Sequence, residues 1–213
     1  MIVSHQHRLI FLKTRKTAGT SVEIALSRIC GPDDTITRLT DEDEELRRSL
    51  GGRGPQHDQS PPLPVKPFNH MPARGVRRVV GETVWDDYYR FAIERNPWDL
   101  VVSQYYWRYR AEEAPPFDDF VRWPVVHKLA DKNARIYRLR GNVAVDRLLR
   151  FESLDADLAE VWRERGLPGE PGLPRAKAYS RPERSYRELY TPETRDLVGT
   201  LFAGVIDELG YDF

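Results

Sequence analysis

The chain has 213 residues, which is enough for one sizeable hydrophobic core and short for two, so we expect a single domain over residues 1–213. Its 33 basic and 33 acidic side chains balance, which gives no support to bulk attraction toward nucleic acid or an anionic membrane, so any anion site must be local. A single cysteine excludes an intramolecular disulfide and a cysteine-rich metal site, and no apolar run approaches the ~20 residues that cross a bilayer, so we expect a cytoplasmic protein.

The first predicted elements are a buried strand, a basic loop and a helix. The apolar residues 9–12 read as the strand, Gly19 permits a tight turn, and Thr20 and Ser21 are suited to capping the helix that follows. The basic residues of the loop are Lys13, Arg15 and Lys16. Because the first N–H groups of a helix lack intrahelical partners and carry partial positive charge, this unit predicts a site for an anionic group.

Two irregular or polar segments follow. Residues 39–50 carry an acidic cluster and then two arginines, which favours a short solvated helix. Residues 51–67 are rich in Gly and Pro, which are unfavourable inside helices and strands, so we expect an extended loop or a lid there.

A second strand, loop and helix are predicted near the middle of the chain. Residues 88–93 read as a buried strand, and the loop after it contains Asn96 and Pro97. Asn96 is a plausible N-cap and Pro97 suits the first helical position, so we expect a helix over residues 97–109.

The remaining pattern also alternates between strands and helices. Residues 134–139 and 146–151 are candidate strands, residues 155–165 a candidate helix, and a final amphipathic helix opens at residues 191–194. Lys177 and Arg181 could close over a bound ligand, and a solvated linker is the favoured interpretation of their segment. The alternation predicts an α/β fold with a central, mostly parallel sheet flanked by helices.

The basic loop differs from the nucleoside-triphosphate signature, in which Lys directly follows the last Gly. Here Lys16 precedes Gly19 and Thr20 follows it, and no acidic strand end is well placed to hold magnesium. The lack of a magnesium ligand would suit transfer of a sulfuryl group, which bears one negative charge where a terminal phosphoryl group bears two. We therefore expect no metal, because lysine and backbone amides can stabilise sulfuryl transfer without one.

Residues 16–21, Lys-Thr-Ala-Gly-Thr-Ser, resemble the 5′-phosphosulfate loop of sulfotransferases that use 3′-phosphoadenosine 5′-phosphosulfate (PAPS), in particular the carbohydrate branch. Residues 91–105 resemble the 3′-phosphate motif of that family, a strand followed by Arg-Asn-Pro and a Ser eight residues after the Arg. Residues 146–154 and 186–213 are similar to its late strand and its C-terminal tail. The resemblance implies a P-loop-NTPase-like sulfotransferase fold.

The resemblance also implies roles for individual residues. Lys16 would contact the bridging oxygen and the sulfuryl group, and Arg95 and Ser103 would bind the 3′-phosphate. The residues that would surround the 5′-phosphate, together with Lys16, are Thr17, Ala18, Gly19, Thr20 and Ser21.

Transfer to a hydroxyl also needs a general base. His70 matches the position of a catalytic histidine in relatives that resemble heparan sulfate 2-O-sulfotransferase, and a helix-capping or core role is the alternative. Glu94 and Glu82 are weaker candidates, because some relatives use a glutamate.

These features predict an enzyme that moves a sulfuryl group from PAPS to a hydroxyl of a carbohydrate or glycosylated small molecule. The alternatives are a nucleotide kinase on a similar scaffold and a binding module that senses a nucleotide without turning it over. Acceptor specificity is expected in residues 31–67 and 111–132, which match no specified motif. The sequence leaves the oligomeric state open.

Overall fold

The computed structural model describes residues 1–58, 65–109, 113–174 and 185–213. Its strands are β1 (Ile2–Ser4), β2 (Leu9–Leu12), β3 (Thr35–Ile36), β4 (Tyr89–Glu94), β5 (Arg138–Leu139), β6 (Asn142–Val143) and β7 (Arg147–Arg150). Its α-helices are α1 (Gly19–Ser27), α2 (Asp41–Ser49), α3 (Ala73–Val80), α4 (Glu82–Asp87), α5 (Pro97–Arg108), α6 (Phe117–Val121), α7 (Pro124–Tyr137), α8 (Leu154–Glu164), α9 (Pro192–Leu201) and α10 (Ala203–Leu209). Short 3₁₀ turns cover Phe151–Ser153 and Tyr186–Leu189.

The main sheet has five strands in the order β3-β1-β2-β4-β7. β2 pairs with β4, and β4 with β7, in parallel, whereas β1 is antiparallel to both β2 and β3. Four of the five strands therefore run in one direction, which confirms the predicted mostly parallel sheet. β5 and β6 form a separate antiparallel pair.

Side chains alternate between the two faces of the sheet, as a strand requires. Leu9 and Phe11 of β2 pack with α1 and α8 on one face. Ile10 and Leu12 pack with α3, α4 and the end of α7 on the other face. A third apolar cluster joins α5, α6, the first half of α7, α9 and α10. Both faces of the sheet are covered by helices, so the α/β architecture is confirmed.

The carboxyl ends of β2, β4 and β7 meet at one edge of the sheet because these strands are parallel and in register. The order β2, loop, α1 gives this edge a P-loop-like organisation, and β4, loop, α5 repeats it beside the first unit. In open α/β sheets, ligands bind outside the carboxyl ends of the strands. The fold therefore brings the two predicted motifs to one edge.

The start of α5 agrees with the sequence. Asn96 accepts a hydrogen bond from the N–H of Trp98 at 3.2 Å, and Pro97 occupies the first turn. The start of α1 does not agree, because its N-cap is Ala18 in the left-handed region and no side chain caps it. Thr20 and Ser21 lie inside the first turn, so the prediction that they cap the helix was wrong.

Residues 134–139 were wrongly predicted as a strand. The helix α7 continues to Tyr137, and only Arg138–Leu139 are extended. Val126, Leu129 and Ile136 are buried at helical spacing, and this longer pattern outweighs the short alternation after residue 133.

Three smaller differences concern other elements. α2 is present, with Thr40 accepting from the N–H of Asp43, but it is not merely solvated, because Arg47 is fully buried and pairs with Glu44 at 2.7 Å. β1 and β3 were not predicted. The final helix is divided at Phe202 into α9 and α10.

The predicted loop at residues 51–67 is described only in part, because residues 59–64 are outside the described ranges. In the described portion, Gln56 forms a backbone bridge to Ile36. Lys177 and Arg181 also lie outside the described residues. None of the helices in the described ranges combines the length and apolar character needed to cross a membrane.

Candidate functional site

A cleft of about 1020 Å³ opens at the carboxyl edge of the sheet. It collects the nine residues that the sequence placed first for catalysis or nucleotide binding. They are Lys16, Thr17, Ala18, Gly19, Thr20, Ser21, His70, Arg95 and Ser103. Residues separated by up to 87 positions in the chain thus share one cavity.

The loop between β2 and α1 is held on two sides. The hydroxyl of Thr14 donates to the carbonyl of Ile93 in β4 and lies 2.8 Å from the hydroxyl of Thr17. On the other side, the N–H of Arg15 donates to Oδ1 of Asn133 at 2.9 Å, and Nδ2 of Asn133 donates to the carbonyl of Arg15 at 3.2 Å. The loop is therefore fastened to the neighbouring strand and to α7.

The backbone of this loop turns sharply. Lys16 and Ala18 have φ of 64° and 58°, in the left-handed region that non-glycine residues rarely adopt. Alternation of right- and left-handed residues turns successive N–H groups toward a common point, which makes an anion-binding concavity. Strained backbone of this kind is concentrated at functional sites.

The first turn of α1 contributes uncapped N–H groups to the cleft. Gly19, Thr20 and Ser21 line the cavity, and no side chain caps the helix. An anion bound here would supply the acceptors that these groups lack within the helix.

Lys13 and Lys16 have different surroundings. Lys13 is buried and its Nζ pairs with Oε2 of Glu23, in the middle of α1, at 2.6 Å. Lys16 is half-buried, and its Nζ lies 5.1 Å from the ring centroid of Trp107, within cation–π range. Lys13 is thus tied to the core through α1, whereas the ammonium of Lys16 lies in the cleft.

Arg95 connects the two motifs. Its Nε donates to Oδ2 of Asp99 at 2.6 Å, and its Nη1 donates to the carbonyl of Lys16 at 3.2 Å. Its guanidinium also stacks on Phe151, with Cζ 4.0 Å from the ring centroid. Ser103 lines the same cleft from α5, two turns after the helix begins.

His70 lines the cleft from the loop that precedes α3. Its Nδ1 is 3.0 Å from the carbonyl oxygen of Lys13, which can only accept, so Nδ1 carries the proton and the lone pair is on Nε2. Burial, aided by Lys13 and Arg15, lowers the pKa of His70 to about 3. The side chain is therefore neutral at neutral pH and offers an unprotonated nitrogen.

The two alternative bases do not line the cleft. Glu94 is buried under the sheet edge, and burial raises its pKa to about 8, against the lowering effects of the Arg95 N–H and the Tyr137 hydroxyl. Glu82 is on the surface and pairs with Arg77 at 2.9 Å. Of the three candidates weighed from the sequence, the structure puts His70 beside the predicted lysine loop.

Two contacts of the loop were not predicted from sequence. Asn133 supports the loop from α7, and Trp107, which sequence suggested only as one of several aromatic residues able to stack on sugar or adenine, lies over Lys16 from α5. A helix periodicity over residues 124–137 would have placed Asn133 on the buried face, and this was the available signal. Within the described ranges, no group of three or more His, Cys, Asp or Glu side chains is arranged to hold a metal ion.

No protein-family model matches the chain. It is 36% identical over 103 residues to a protein from Archaeoglobus fulgidus, and the match covers 47% of this chain and 86% of the archaeal protein. The chain belongs to the same family as that protein. Because the archaeal relative is described only as an uncharacterized protein, family membership assigns no activity.

Among solved structures, the chain is similar to a sulfotransferase from Alicyclobacillus acidocaldarius, at a TM-score of 0.41 and 14% identity, over 97% of this chain and 96% of that one.

Proposed function

We propose that the protein is a sulfotransferase that moves a sulfuryl group from PAPS to a hydroxyl of a carbohydrate or glycosylated small molecule. The observation that carries the proposal is the convergence of both nucleotide motifs and His70 in one cleft at the carboxyl edge of the sheet. Cations, uncapped helix N–H groups and a neutral histidine together suit transfer of an anionic group to an alcohol.

In this proposal, the nucleotide spans the two strand–loop–helix units. The 5′-phosphate accepts from the loop and from the first turn of α1, while Arg95 and Ser103 bind the 3′-phosphate. The contact of Arg95 with the Lys16 carbonyl supports this division, because it fixes the distance between the two phosphate sites. Asp99 holds the guanidinium in orientation through its ion pair.

The reaction proceeds in line. The acceptor oxygen forms a bond to sulfur as the bond from sulfur to the bridging phosphate oxygen breaks, and adenosine 3′,5′-bisphosphate leaves. Lys16 stabilises the charge that develops on the bridging oxygen, which is the type of interaction that accelerates reactions most strongly. Nε2 of His70 accepts the acceptor proton.

The low pKa of His70 in the free protein is compatible with that role. Its causes are burial and the positive charges of Lys13 and Arg15. The bound anionic nucleotide offsets those charges and stabilises the imidazolium, so the pKa rises toward the range in which a base is effective. His70 thereby becomes a stronger base when the nucleotide is present.

Ligand-induced thermal stabilisation tests the proposal. Adenosine 3′,5′-bisphosphate should raise the melting temperature more than adenosine 5′-monophosphate does, and ATP with magnesium should raise it less. Radiolabelled sulfate transfer from PAPS to a panel of glycosides then measures turnover. Stabilisation by ATP with magnesium alone would favour a kinase, and bisphosphate binding without transfer to any acceptor would favour a sensor.

A further inference from the structure

Asn69 immediately precedes His70, and both residues line the cleft from the loop before α3. The proposed nucleotide contacts do not use Asn69. His70 has φ of 61°, in the left-handed region, which a non-glycine residue keeps only where its surroundings compensate for the strain. The contacts of the residues beside His70 therefore determine where its imidazole is held.

The two neighbours of His70 anchor it in different ways. On the C-terminal side, Met71 is 2% exposed and belongs to the apolar cluster that also contains Val76 of α3. On the N-terminal side, Phe68 is 50% exposed, so the side chain next to His70 that can fix the backbone there is that of Asn69. Met71 provides an apolar anchor, and Asn69 provides a polar one.

The side-chain amide of Asn69 is bonded at both ends. Its Nδ2 donates to the carbonyl of Arg38 at 2.5 Å, and its Oδ1 accepts from Nζ of Lys13 at 3.4 Å. The hydroxyl of Thr37 donates to the same oxygen at 3.5 Å. Because a carbonyl can only accept and an ammonium can only donate, these partners permit one orientation of the amide. Asn69 is thereby tied to the chain just after β3 and to the loop just after β2.

Lys13 contacts this segment twice, since its carbonyl accepts from Nδ1 of His70 at 3.0 Å and its ammonium contacts Asn69. The ammonium is itself held 2.6 Å from Oε2 of the buried Glu23. A Cβ atom added at Gly19 would lie 2.6 Å from Cγ of Lys13, so the lysine chain packs closely against the start of α1. One fixed lysine thus contacts both the ring nitrogen and the amide of the preceding residue.

We propose that Asn69 is a positioning residue for His70. Its amide holds the left-handed backbone of His70 beside Lys13, so that Nδ1 stays protonated and Nε2 keeps the lone pair that takes the acceptor proton. Asn69 acts through the imidazole and not by contact with the reacting groups. This role in catalysis rests on the proposed sulfuryl transfer, whereas the effect of Asn69 on the imidazole does not depend on it.

Nuclear magnetic resonance tests the effect on the imidazole directly. Long-range ¹H–¹⁵N correlation spectra of the ligand-free protein report the tautomer of each histidine ring, and the spectrum of His70→Ala identifies the His70 signals. The wild-type protein should show the Nδ1–H tautomer at neutral pH. Asn69→Ala should move the signals toward a mixture of tautomers, because a ring released from the Lys13 carbonyl samples both. The control Asn142→Ala, at an exposed position in β6, should leave them unchanged.

Steady-state kinetics tests the effect on transfer. Asn69→Ala should lower kcat by about 10- to 100-fold, because misplacement of a catalytic group by about 1 Å has effects of this size. The KM for PAPS and the affinity for adenosine 3′,5′-bisphosphate should change by about twofold or less.

Asn69→Asp provides a second variant of the same shape, which keeps the test decisive where the alanine variant does not fold. Its carboxylate accepts from Lys13 but cannot donate to the Arg38 carbonyl. It should therefore change the His70 signals and kcat in the same direction as Asn69→Ala, and by less.

Unchanged His70 signals in both Asn69 variants would overturn the proposal, as would normal kcat in a variant whose signals had shifted. A raised KM for the acceptor with unchanged kcat and unchanged signals would also overturn it, because Asn69 would then contact the acceptor. Failure of the proposed function looks different: the wild-type protein would transfer no sulfate to any acceptor, while the His70 signals would still respond to replacement of Asn69.

Discussion

Nη1 of Arg95 donates a hydrogen bond to the carbonyl oxygen of Lys16 at 3.2 Å, which joins the loop after β4 to the loop after β2. The bond links a side chain at one predicted phosphate site to the backbone at the other. Its contribution can be separated from direct phosphate binding, because a nucleotide with only one phosphate engages only one of the two sites.

Replacement of Arg95 by Ala should weaken binding of adenosine 3′,5′-bisphosphate by about 10- to 100-fold, the loss expected for one charge-assisted hydrogen-bond contact. Binding of adenosine 5′-monophosphate should change much less. Isothermal titration of both nucleotides measures the difference. Equal losses for the two nucleotides would mean that Arg95 acts only by holding the Lys16 loop.

Replacement of Lys16 by Ala should lower kcat for sulfate transfer by about 10²–10³-fold, because the ammonium acts on charge that develops in the transition state. The KM for PAPS should rise far less than kcat falls. Steady-state kinetics with Arg135→Ala as a charge control checks this. Near-normal turnover in the Lys16 variant would remove the residue from the mechanism.

Replacement of Trp107 by Leu should tighten bisphosphate binding by about two- to fivefold, since an exposed cation–π contact is worth about 0.5–1 kcal/mol and competes with the phosphate for Lys16. Tryptophan emission of the wild type should change on binding as the ammonium, 5.1 Å from the ring centroid in the free protein, leaves the indole. Trp107→Phe should lose most of that signal while still binding. Weaker binding in the Leu variant would show instead that the indole contacts the nucleotide.

The pH profiles should reflect His70. Because its pKa is lowered to about 3 in the free protein, kcat/KM should show no inflection from His70 near the ordinary histidine value. The acid limb of kcat should lie at higher pH than that of kcat/KM, because bound nucleotide raises the pKa of the base. His70→Ala should lower kcat by about 10²–10⁴-fold and leave bisphosphate binding intact. A kcat/KM limb near 6.5 that vanishes in this variant would contradict the assignment of the free-state pKa.

The stability of the fold should fall as the pH rises from about 4.5 to about 8, because burial raises the pKa of Glu94 to about 8. Below its unfolded pKa, the carboxyl is protonated in both states and the penalty is absent; above 8, folding must accommodate a buried charge that Arg95 N–H, Tyr137 and Arg138 offset only in part. Each unit of pKa difference between the folded and unfolded states corresponds to about 1.4 kcal/mol of unfolding free energy. Urea denaturation at several pH values measures the slope of the unfolding free energy against pH. Glu94→Gln should flatten it, whereas the exposed control Glu82→Gln should not. An unchanged slope in Glu94→Gln would assign it to other groups.

The parts of the fold that sequence predicted correctly have strong local signals. Residues 9–12 are uniformly apolar, and Asn96-Pro97 is a specific helix start, so β2 and α5 were located within one or two residues. β1 was missed because three residues give too short a pattern, and its pairing with β2 depends on tertiary contact. The strand predicted at residues 134–139 was wrong for a different reason. The short alternating pattern there was considered without the longer helical periodicity of the residues before it.

The features of the candidate site also divide into those with a local sequence signal and those that depend on tertiary packing. Eight of the nine nominated residues belong to two short motifs that follow strand ends, and parallel strands bring those ends together. The ninth, His70, was nominated from its resemblance to the position of a catalytic histidine in the sulfotransferase family. The contact of Asn133 with Arg15 was not predicted, because helical periodicity places Asn133 on a buried face without saying which loop that face covers. The left-handed backbone of Lys16 and His70 was equally hidden, since neither is a residue type that favours it.

The paired hydrogen bonds from Asn133 to Arg15 satisfy both the N–H and the carbonyl of one residue, as a neighbouring strand would. The side-chain amide of Asn133 thus continues the hydrogen-bonding pattern of the sheet beyond the end of β2. It also couples the position of α7 to that of the loop. A ligand that shifts α7 must also shift the backbone leading into Lys16. A ligand bound to α7 and a ligand bound to the loop would consequently change each other's affinity by the same factor. Titration of one in the presence of the other would measure the coupling free energy that the Asn133 amide transmits.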